Sequence, residues 1–428
     1  MGSDTIVALG RATVDGCTLL GQNCSSRFDG PMRLCLTPAR KHAVGERAKA
    51  QFLELTQPRQ TYRVFGVQPP GAWGYVHGMN EHQLAVTSVP LQEGSNLHGH
   101  SLPGTDLVRL LLERCTTALQ AVDLLGEFLT HHSPAIGSGF LDHLSRESNF
   151  VVADGAEAYV IETAGPFWVY QEIKEVRAVS DLRIIRQDWD RIAHGLADHA
   201  YARGWWPQDG SKLDFAGALG ESPLLHPEAL HRWGRATLYL QEQNGHIDGS
   251  FVRKILCDHE SDSPLSSAPF PSICRHATKE NQHGTAVSFV TALREERAAV
   301  PMAWCCMGLP CSGVYLPIFL DGDIPTPSQS RTCQALADPS GEDAILSDRL
   351  QHLQAEVDQS VEEFLPEALL LKRNGSNQEL HRQATSLMQY HHERLEAILE
   401  ELSRSRTPEA SPSERCTSSV SGTVGSVS

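Results

Sequence analysis

Residues 3–23 open with Ser3-Asp4-Thr5-Ile6-Val7-Ala8-Leu9, continue through Ala12-Thr13-Val14-Asp15-Gly16 and resume with Cys17-Thr18-Leu19-Leu20-Gly21-Gln22-Asn23. Thr5, Val7 and Leu9 alternate with smaller neighbours, Val14-Asp15-Gly16 carries turn chemistry, and Cys17 to Gly21 returns to β-prone residues. The stretch therefore predicts a strand, a tight turn and a second strand. A strand this close to residue 1 is unusual, because the first residues of most domains fray unless something ties them down.

Outward from this hairpin, the composition bounds the rest. The chain has 428 residues, 40% of them hydrophobic and 21% charged, which is the balance of a globular protein with room for a large core. Its formal charge of −16 speaks against nucleic acid, since no basic patch stands ready to neutralise phosphates. Eleven cysteines form neither C-x-x-C pairs nor an even disulfide framework, so most are expected to be reduced, buried small residues. No leader peptide is evident, and the longest apolar stretch, Ala298 to Leu309, contains Pro301 and is too short to span a bilayer. A cytoplasmic protein without membrane contacts is the expectation, and the sequence leaves room for a homo-oligomer.

Along the chain, Arg27 to Glu46 reads as a loop, whereas Gln51 to Leu55, Thr61 to Val67 and Leu84 to Val89 read as strands. Leu107, Leu110, Leu111, Leu119, Val122, Leu125 and Leu129 recur at helical intervals around Cys115-Thr116-Thr117, which predicts two helices over a sheet face. Phe150 to Asp154 and Ala158 to Thr163 form a strand pair across Asp154-Gly155, continued by Phe167 to Tyr170 and Val176 to Ser180. The region from Ile184 to Glu260 is mixed and helical, Ser261 to Ser272 is a Pro/Ser-rich loop, and Thr285 to Leu293 and Met302 to Met307 are strands. Strands, helices, strands and helices again suit two sheets stacked between helical layers. Residues 341–405 predict a helical appendage, and the Ser/Thr-rich residues 406–428 a disordered tail.

The opening Ser3-Asp4-Thr5-Ile6-Val7-Ala8-Leu9, with Asp15-Gly16 and Gly21-Gln22-Asn23, resembles that of the secernins and related bacterial dipeptidases, whose pattern is C-D-T-x-V-A-L, D-G and G-K-N-S-D-R. Trp73-Gly74 and Gly78-Met79-Asn80-Glu81-His82 are similar to the family's W-G and G-x-N-E-H segments, and Asp106 to Leu110, Glu162 to Gly165 and Gly204-Trp205-Trp206 follow in order. The resemblance covers roughly residues 3–320. It implies an α+β fold, the four-layer αββα sandwich of N-terminal-nucleophile (Ntn) hydrolases over residues 3–325, and dipeptidase-like hydrolysis of linear amide C–N bonds. In that class the first residue of the mature chain attacks from a central strand and its own α-amine serves as base.

On this reading Ser3 is the nucleophile, standing where the family has Cys. A hydroxyl is weak at neutral pH and needs a base, which a free α-amine supplies. That amine exists only if the Gly2–Ser3 bond is broken, a self-cleavage the family pattern implies. Asn23 and Asn80 are the candidates to orient substrate or oxyanion, and each is equally suited to satisfying backbone groups at strand ends. Asp181 falls where the family has an S-N pair and is a further substrate-binding candidate. Gln22, Ser25 and Ser88 replace the family's Lys or Arg, its Asp and the Asn of vertebrate members, which removes electrostatic support. That pattern equally suits a member that has lost catalysis and serves as a binding or scaffold protein. Cys24 is an alternative nucleophile, although it, Cys17 and Cys311 are more simply core thiols. His98-Gly99-His100, His131-His132 and His391-His392 lack a third metal ligand, so neither metal nor organic cofactor is implied. Trp73, Trp205 and Trp206 are expected in the core or a pocket wall. The expected partner is a small peptide or amide.

Overall fold

A computed structural model describes residues 2–26, 31–91, 102–132, 148–219, 224, 226–259, 272–277, 284–296, 299–325 and 344–406. The predicted opening hairpin is its organising element. Strand β1 (Gly2–Ala8) and strand β2 (Thr18–Ser26) pair antiparallel, with Ser3 opposite Cys24 and Asp4 opposite Asn23. Gly16 makes the connection with φ of 73°, a conformation glycine adopts without steric cost. The region read as a loop from Arg27 to Glu46 contains strand β3 (Arg33–Thr37), which pairs with β8 (Val64–Gln68). It was hidden because its residues, on a sheet edge, are only half-buried or exposed and carry a weak apolar signal. Two short hairpins follow, β4 (Arg40–Lys41) with β7 (Gln60–Thr61) and β5 (Arg47–Lys49) with β6 (Glu54–Thr56).

The remaining strands are β9 (His77–Asn80), β10 (Ala85–Pro90), β11 (Ser148–Ala153), β12 (Ala158–Ala164), β13 (Phe167–Glu172), β14 (Val176–Val179), β15 (Arg191–Ile192), β16 (Gly284–Leu293), β17 (Met302–Met307) and β18 (Leu316–Phe319). They assemble into two antiparallel sheets. The first, six-stranded, runs β14-β1-β2-β16-β17-β18, and the second, eight-stranded, runs β15-β13-β12-β11-β10-β9-β8-β3. Strand β1 lies against β10 of the second sheet, and Val7, Leu9, Leu20 and Phe289 share one buried core with Phe65, Met79 and Val151.

Helices α1 (Gly104–Arg114) and α2 (Ala118–His132) cover the outer face of the second sheet, separated at the predicted Cys115-Thr116-Thr117 break. Next come α3 (Leu196–Ala202) and α4 (Phe215–Ala218), then α5 (Pro227–Glu242) and α6 (Gly249–Leu256). Helix α5 packs on β14 and β1, and α6 on β2 and β16. Pro227 suits the first turn of α5, where its missing N–H costs nothing, and Asp248 caps α6 by accepting from Phe251 N at 2.6 Å. The four layers are therefore helix, sheet, sheet and helix, the αββα sandwich. The first sheet's outer side has its own core, with Ile6, Ala8 and Leu19 against Leu240, Val252 and Ile255.

Helices α7 (Ala344–Arg373) and α8 (Asn377–Arg406) pair with each other and close over β18. Val361, Leu380 and Met388 bury Phe319 and Met302, so the apolar stripes legible in the sequence meet the edge of the first sheet. His98 to His100, most of the Ser261 to Ser272 loop and all but the first residue of the 406–428 tail lie outside the described residues. No helix among the described residues is long and apolar enough to cross a membrane.

Candidate active site

Alternation along β1 decides what each residue can do. Val7 and Leu9 belong to the core between the sheets, so Ser3 and Thr5 share their inward side; Ile6 and Ala8 belong to the helix-covered core, so Asp4 shares the outward side. Ser3 is fully buried, and its hydroxyl makes no hydrogen bond of ordinary geometry; the group it influences is the Cys24 thiol across the strand pair. Buried hydroxyls are nearly always bonded, and an orphan in the middle of a well-packed sheet calls for an explanation. Across the strand pair, the Cys24 thiol is pushed up to about 11 by burial, against a smaller opposing effect of the Ser3 hydroxyl. It is a neutral thiol at physiological pH, and the alternative of Cys24 as nucleophile loses its thiolate.

On the outward side, Asp4 is held by a buried network. Arg232 of α5 donates from Nε to both carboxylate oxygens at 3.1 and 3.0 Å, Arg275 Nη2 reaches Oδ2 at 3.4 Å, and Ser180 Oγ donates at 2.7 Å. Asp181 joins by accepting from Arg232 Nη2 and, at 3.3 Å, from Arg275 Nη2. Burial alone would raise the Asp4 pKa, but the two guanidinium groups and the Ser180 hydroxyl outweigh it and hold the carboxyl below its ordinary value. Arg232 Nη1 and Arg275 Nε remain buried without partners. Gly2 is part of this arrangement: a Cβ on it would stand 2.1 Å from Arg275 Nη1, so a side chain there would push the guanidinium aside.

Between the sheets, the environment is polar and uncharged. Gln22 Nε2 donates to Ser88 O at 3.0 Å, which turns its Oε1 toward His77 Nδ1 at 3.2 Å. His77 thus carries its hydrogen on Nδ1, while Nε2 is buried without a partner. Burial lowers the His77 pKa well below the usual range, so the ring is neutral. Gln22, where the resembled family has a cation, thus links the two sheets through a neutral pair.

The structure joins Asp4 and Asp181 through Arg232 and Arg275, leaves Ser3 on the opposite face of β1, and gives the two asparagines to the scaffold. Asn23 donates from Nδ2 to Leu256 O at 2.7 Å and Ile273 O at 3.1 Å, fixing β2 to the end of α6. Asn80 donates to Leu112 O at 2.9 Å and Cys115 O at 2.8 Å, while its Oδ1 accepts from His82 N and Leu84 N at 3.0 and 3.1 Å. An amide has two donor hydrogens, and both are spent in each case, so neither Asn23 nor Asn80 has one left for an oxyanion. This corrects the oxyanion role expected for them. Trp73, Trp205 and Trp206 are half-buried against the main core, and the Arg109 guanidinium lies 4.1 Å from the Trp73 ring centre. Arg232 and Arg275 were missed by the sequence reading because nothing in the local pattern ties residues more than 220 positions away to Asp4. Among the described residues, the group whose donors converge as metal ligands do is His259, Cys274, His276 and Cys311, of which Cys274 and His276 flank Arg275 in the chain.

No protein-family model matches the chain. Among solved structures it is similar to penicillin V acylase from Agrobacterium tumefaciens, with 14% identity and a TM-score of 0.42 over 74% of this chain and 86% of that one. It is also similar to a mutant of conjugated bile acid hydrolase from Clostridium perfringens, with 15% identity and a TM-score of 0.37 over 71% of this chain and 89% of that one. A third similar structure is the Caenorhabditis elegans orthologue of N-acylethanolamine-hydrolyzing acid amidase, with 13% identity and a TM-score of 0.33 over 67% of this chain and 91% of that one.

Proposed function

We propose that this chain is an amide C–N hydrolase of dipeptidase type, with Ser3 as an N-terminal nucleophile. The observation that carries the reading is the Ser3 hydroxyl, buried without an ordinary hydrogen bond on an inner strand of a four-layer sandwich, one residue from a fixed carboxylate–guanidinium network. Activation begins with Gly2. The Ser3 Oγ attacks the Gly2 carbonyl carbon, the Gly2–Ser3 C–N bond breaks, and the Gly2 acyl group is carried as an ester while the Ser3 amine is released. Water then hydrolyses the ester, leaving a carboxylate on the departing segment and a free hydroxyl on Ser3.

Loss of Gly2 uncovers the Arg275 guanidinium it lies against and vacates the space its acyl group filled. A substrate acyl group enters that space and meets the same nucleophile, with the Ser3 α-amine now taking the hydroxyl proton. Arg275 and Arg232, whose unpartnered buried nitrogens face no acceptor in the intact chain, suit a carboxylate such as the end of a short peptide. Asp181, half-buried beside them, suits the opposite charge of a peptide amine. Asn23 and Asn80 hold the strands and touch no substrate in this scheme.

A second reading is favoured by the enclosure of Ser3 together with the neutral Gln22–His77 pair: a catalytically degenerate binding or scaffold protein. Intact mass separates the two. The hydrolase requires a chain beginning at Ser3 and turnover on a dipeptide panel, both lost in Ser3→Ala, with Ser3→Cys active because the thiolate is the better nucleophile. A chain that keeps Gly2 and shows no turnover, before and after Ser3→Cys, leaves the binding reading.

A further inference from the structure

Four side chains from three separate stretches converge beside the site. His259 follows the C-terminal end of α6, Cys274 and His276 lie on the segment 272–277, and Cys311 sits in the 3-10 turn Pro310–Ser312 that leads toward β18. One donor atom from each lies within 4.8 Å of every other. His276 Nε2 is 3.1 Å from His259 Nε2, 3.3 Å from Cys311 Sγ and 3.9 Å from Cys274 Sγ. Zn–S bonds of about 2.3 Å and Zn–N bonds of about 2.0 Å at tetrahedral angles place donor atoms about 3.3 to 3.8 Å apart. The observed spacings fall around those values. Two imidazole nitrogens facing each other at 3.1 Å also gain little from direct contact, since at most one proton fits between them; a shared cation is the chemistry that suits both lone pairs.

We propose that His259, Cys274, His276 and Cys311 bind one Zn(II) ion in a closed, tetrahedral, structural site. Two thiolates and two imidazoles are a donor set that Zn(II) takes in structural sites, and four protein ligands leave no open position for a substrate. Its purpose follows from the chain between the ligands. Cys274 and His276 turn to the metal on one side of their segment, so Arg275 between them turns to the other, where it meets Asp4 and Asp181. Hydrogen bonds tie the backbone of the same segment to α6, β2 and β16: Cys274 N to Asp258 O at 3.1 Å, Asn23 Nδ2 to Ile273 O at 3.1 Å, Thr285 N to Arg275 O at 2.9 Å and Arg275 N to Thr285 Oγ1 at 3.0 Å. The metal ties this segment to α6 and to the turn before β18, and thereby fixes the guanidinium beside the first residues of β1. Arg275 is a positioning residue held by the metal through its neighbours.

The experiment uses the full chain, purified under reductant, and Zn(II) itself as the probe. Elemental analysis should find about one zinc per chain, and Co(II) exchanged into the site should show the visible bands of a tetrahedral ion and thiolate-to-metal charge transfer. Cys311→Ser and His276→Ala should each lose the stoichiometric metal and weaken competition with a chromogenic chelator beyond the about 10–100-fold that outer partners of a metal cost. His352→Ala, an exposed helix residue, should keep it. Saturating Zn(II), at about a thousandfold above Kd, should raise the Tm of the metal-free chain by about 5 °C, a gain absent in Cys311→Ser. Because Cys311 lies at the surface, that variant is expected to fold, and its circular dichroism reports whether it has. Sub-stoichiometric metal in the folded wild type after Zn(II) addition, unchanged metal in the Cys311→Ser and His276→Ala variants, or a Cys274–Cys311 disulfide in the Zn(II)-treated protein would each overturn the proposal. None of these readouts depends on whether Ser3 is a nucleophile.

Discussion

The two faces of β1 differ in one respect that organises the molecule. Outward, Asp4 is an ion buried among ions, with hydrogen bonds from Arg232, Arg275 and Ser180. Inward, Ser3 and Thr5 present hydroxyls that make no hydrogen bond of ordinary geometry, beside a neutral glutamine, a neutral histidine and the neutral Cys24 thiol. A buried charge without its partner is far more costly than a buried hydroxyl without one, so the protein completes the first arrangement and leaves the second open. The outward face is what holds the strand, and the inward face carries the hydroxyls that the fold leaves without an ordinary hydrogen bond.

The largest effect expected from this contrast is the all-or-none response to Ser3→Ala. Mass spectrometry should show Gly2 retained, and dipeptide turnover should vanish, while the urea midpoint moves by no more than roughly 1 kcal/mol equivalent because the removed hydroxyl makes no hydrogen bond of ordinary geometry. A large loss of stability in this variant would mean that the inward face, too, is structural. Next comes Arg232→Met, which strips Asp4 and Asp181 of the nearer of the two guanidinium groups that they share. Removing one partner of a buried pair costs about 3–5 kcal/mol, readable as a lowered urea midpoint. A double variant Arg232→Met, Asp4→Leu should recover much of that loss, since it leaves no unpaired ion between β1 and α5.

A third test moves to the second sheet and sharpens the role of pairing. Glu162 is buried like Asp4 but, among the described residues, accepts from backbone alone, Ile184 N at 2.8 Å and Ile185 N at 3.1 Å. Burial raises its pKa from 4.5 to about 7, which those N–H groups and the charges of Arg177 and Arg183 only partly offset. Since the folded value lies above the unfolded one, the folded state binds more protons between pH 4.5 and 7, and stability falls as pH rises through that window. The shift corresponds to on the order of 3 kcal/mol, which Glu162→Gln should remove, flattening the pH dependence of the urea midpoint. Asp4 acts in the opposite sense: its lowered pKa gives stability that is present above the ordinary carboxylate range and lost as pH falls through the folded value. The smallest effect is expected at the surface, where Arg349 of α7 meets Glu401 of α8 at 2.7 Å. Arg349→Gln should leave the melting curve where it is, because water screens that pair.

How far the sequence could be read depended on the range of the interactions involved. The hairpin at residues 3–23, the helix break at Cys115 to Thr117 and the strand pair across Asp154-Gly155 were legible because alternation, helical periodicity and turn residues act between neighbours. Strand β3 was not, because an edge strand need bury neither face fully and its pattern fades. Ser3 could be singled out from the resemblance at the start of β1, and the structure adds the orphaned hydroxyl. Asn23 and Asn80 could be named from the same motifs but not assigned a role: which groups an amide faces depends on helices α1 and α6, more than thirty and two hundred residues away. The partners of Asp4 and the convergence of His259, Cys274, His276 and Cys311 left no local trace whatever. Hydrophobic period is a property of consecutive residues, so the sequence by itself determined the buried strands, the long helices and their stacking in layers, but not the edge strand β3. Charge pairing and ligand geometry are properties of side chains joined only by the packing of those layers, and the tertiary structure alone decided them.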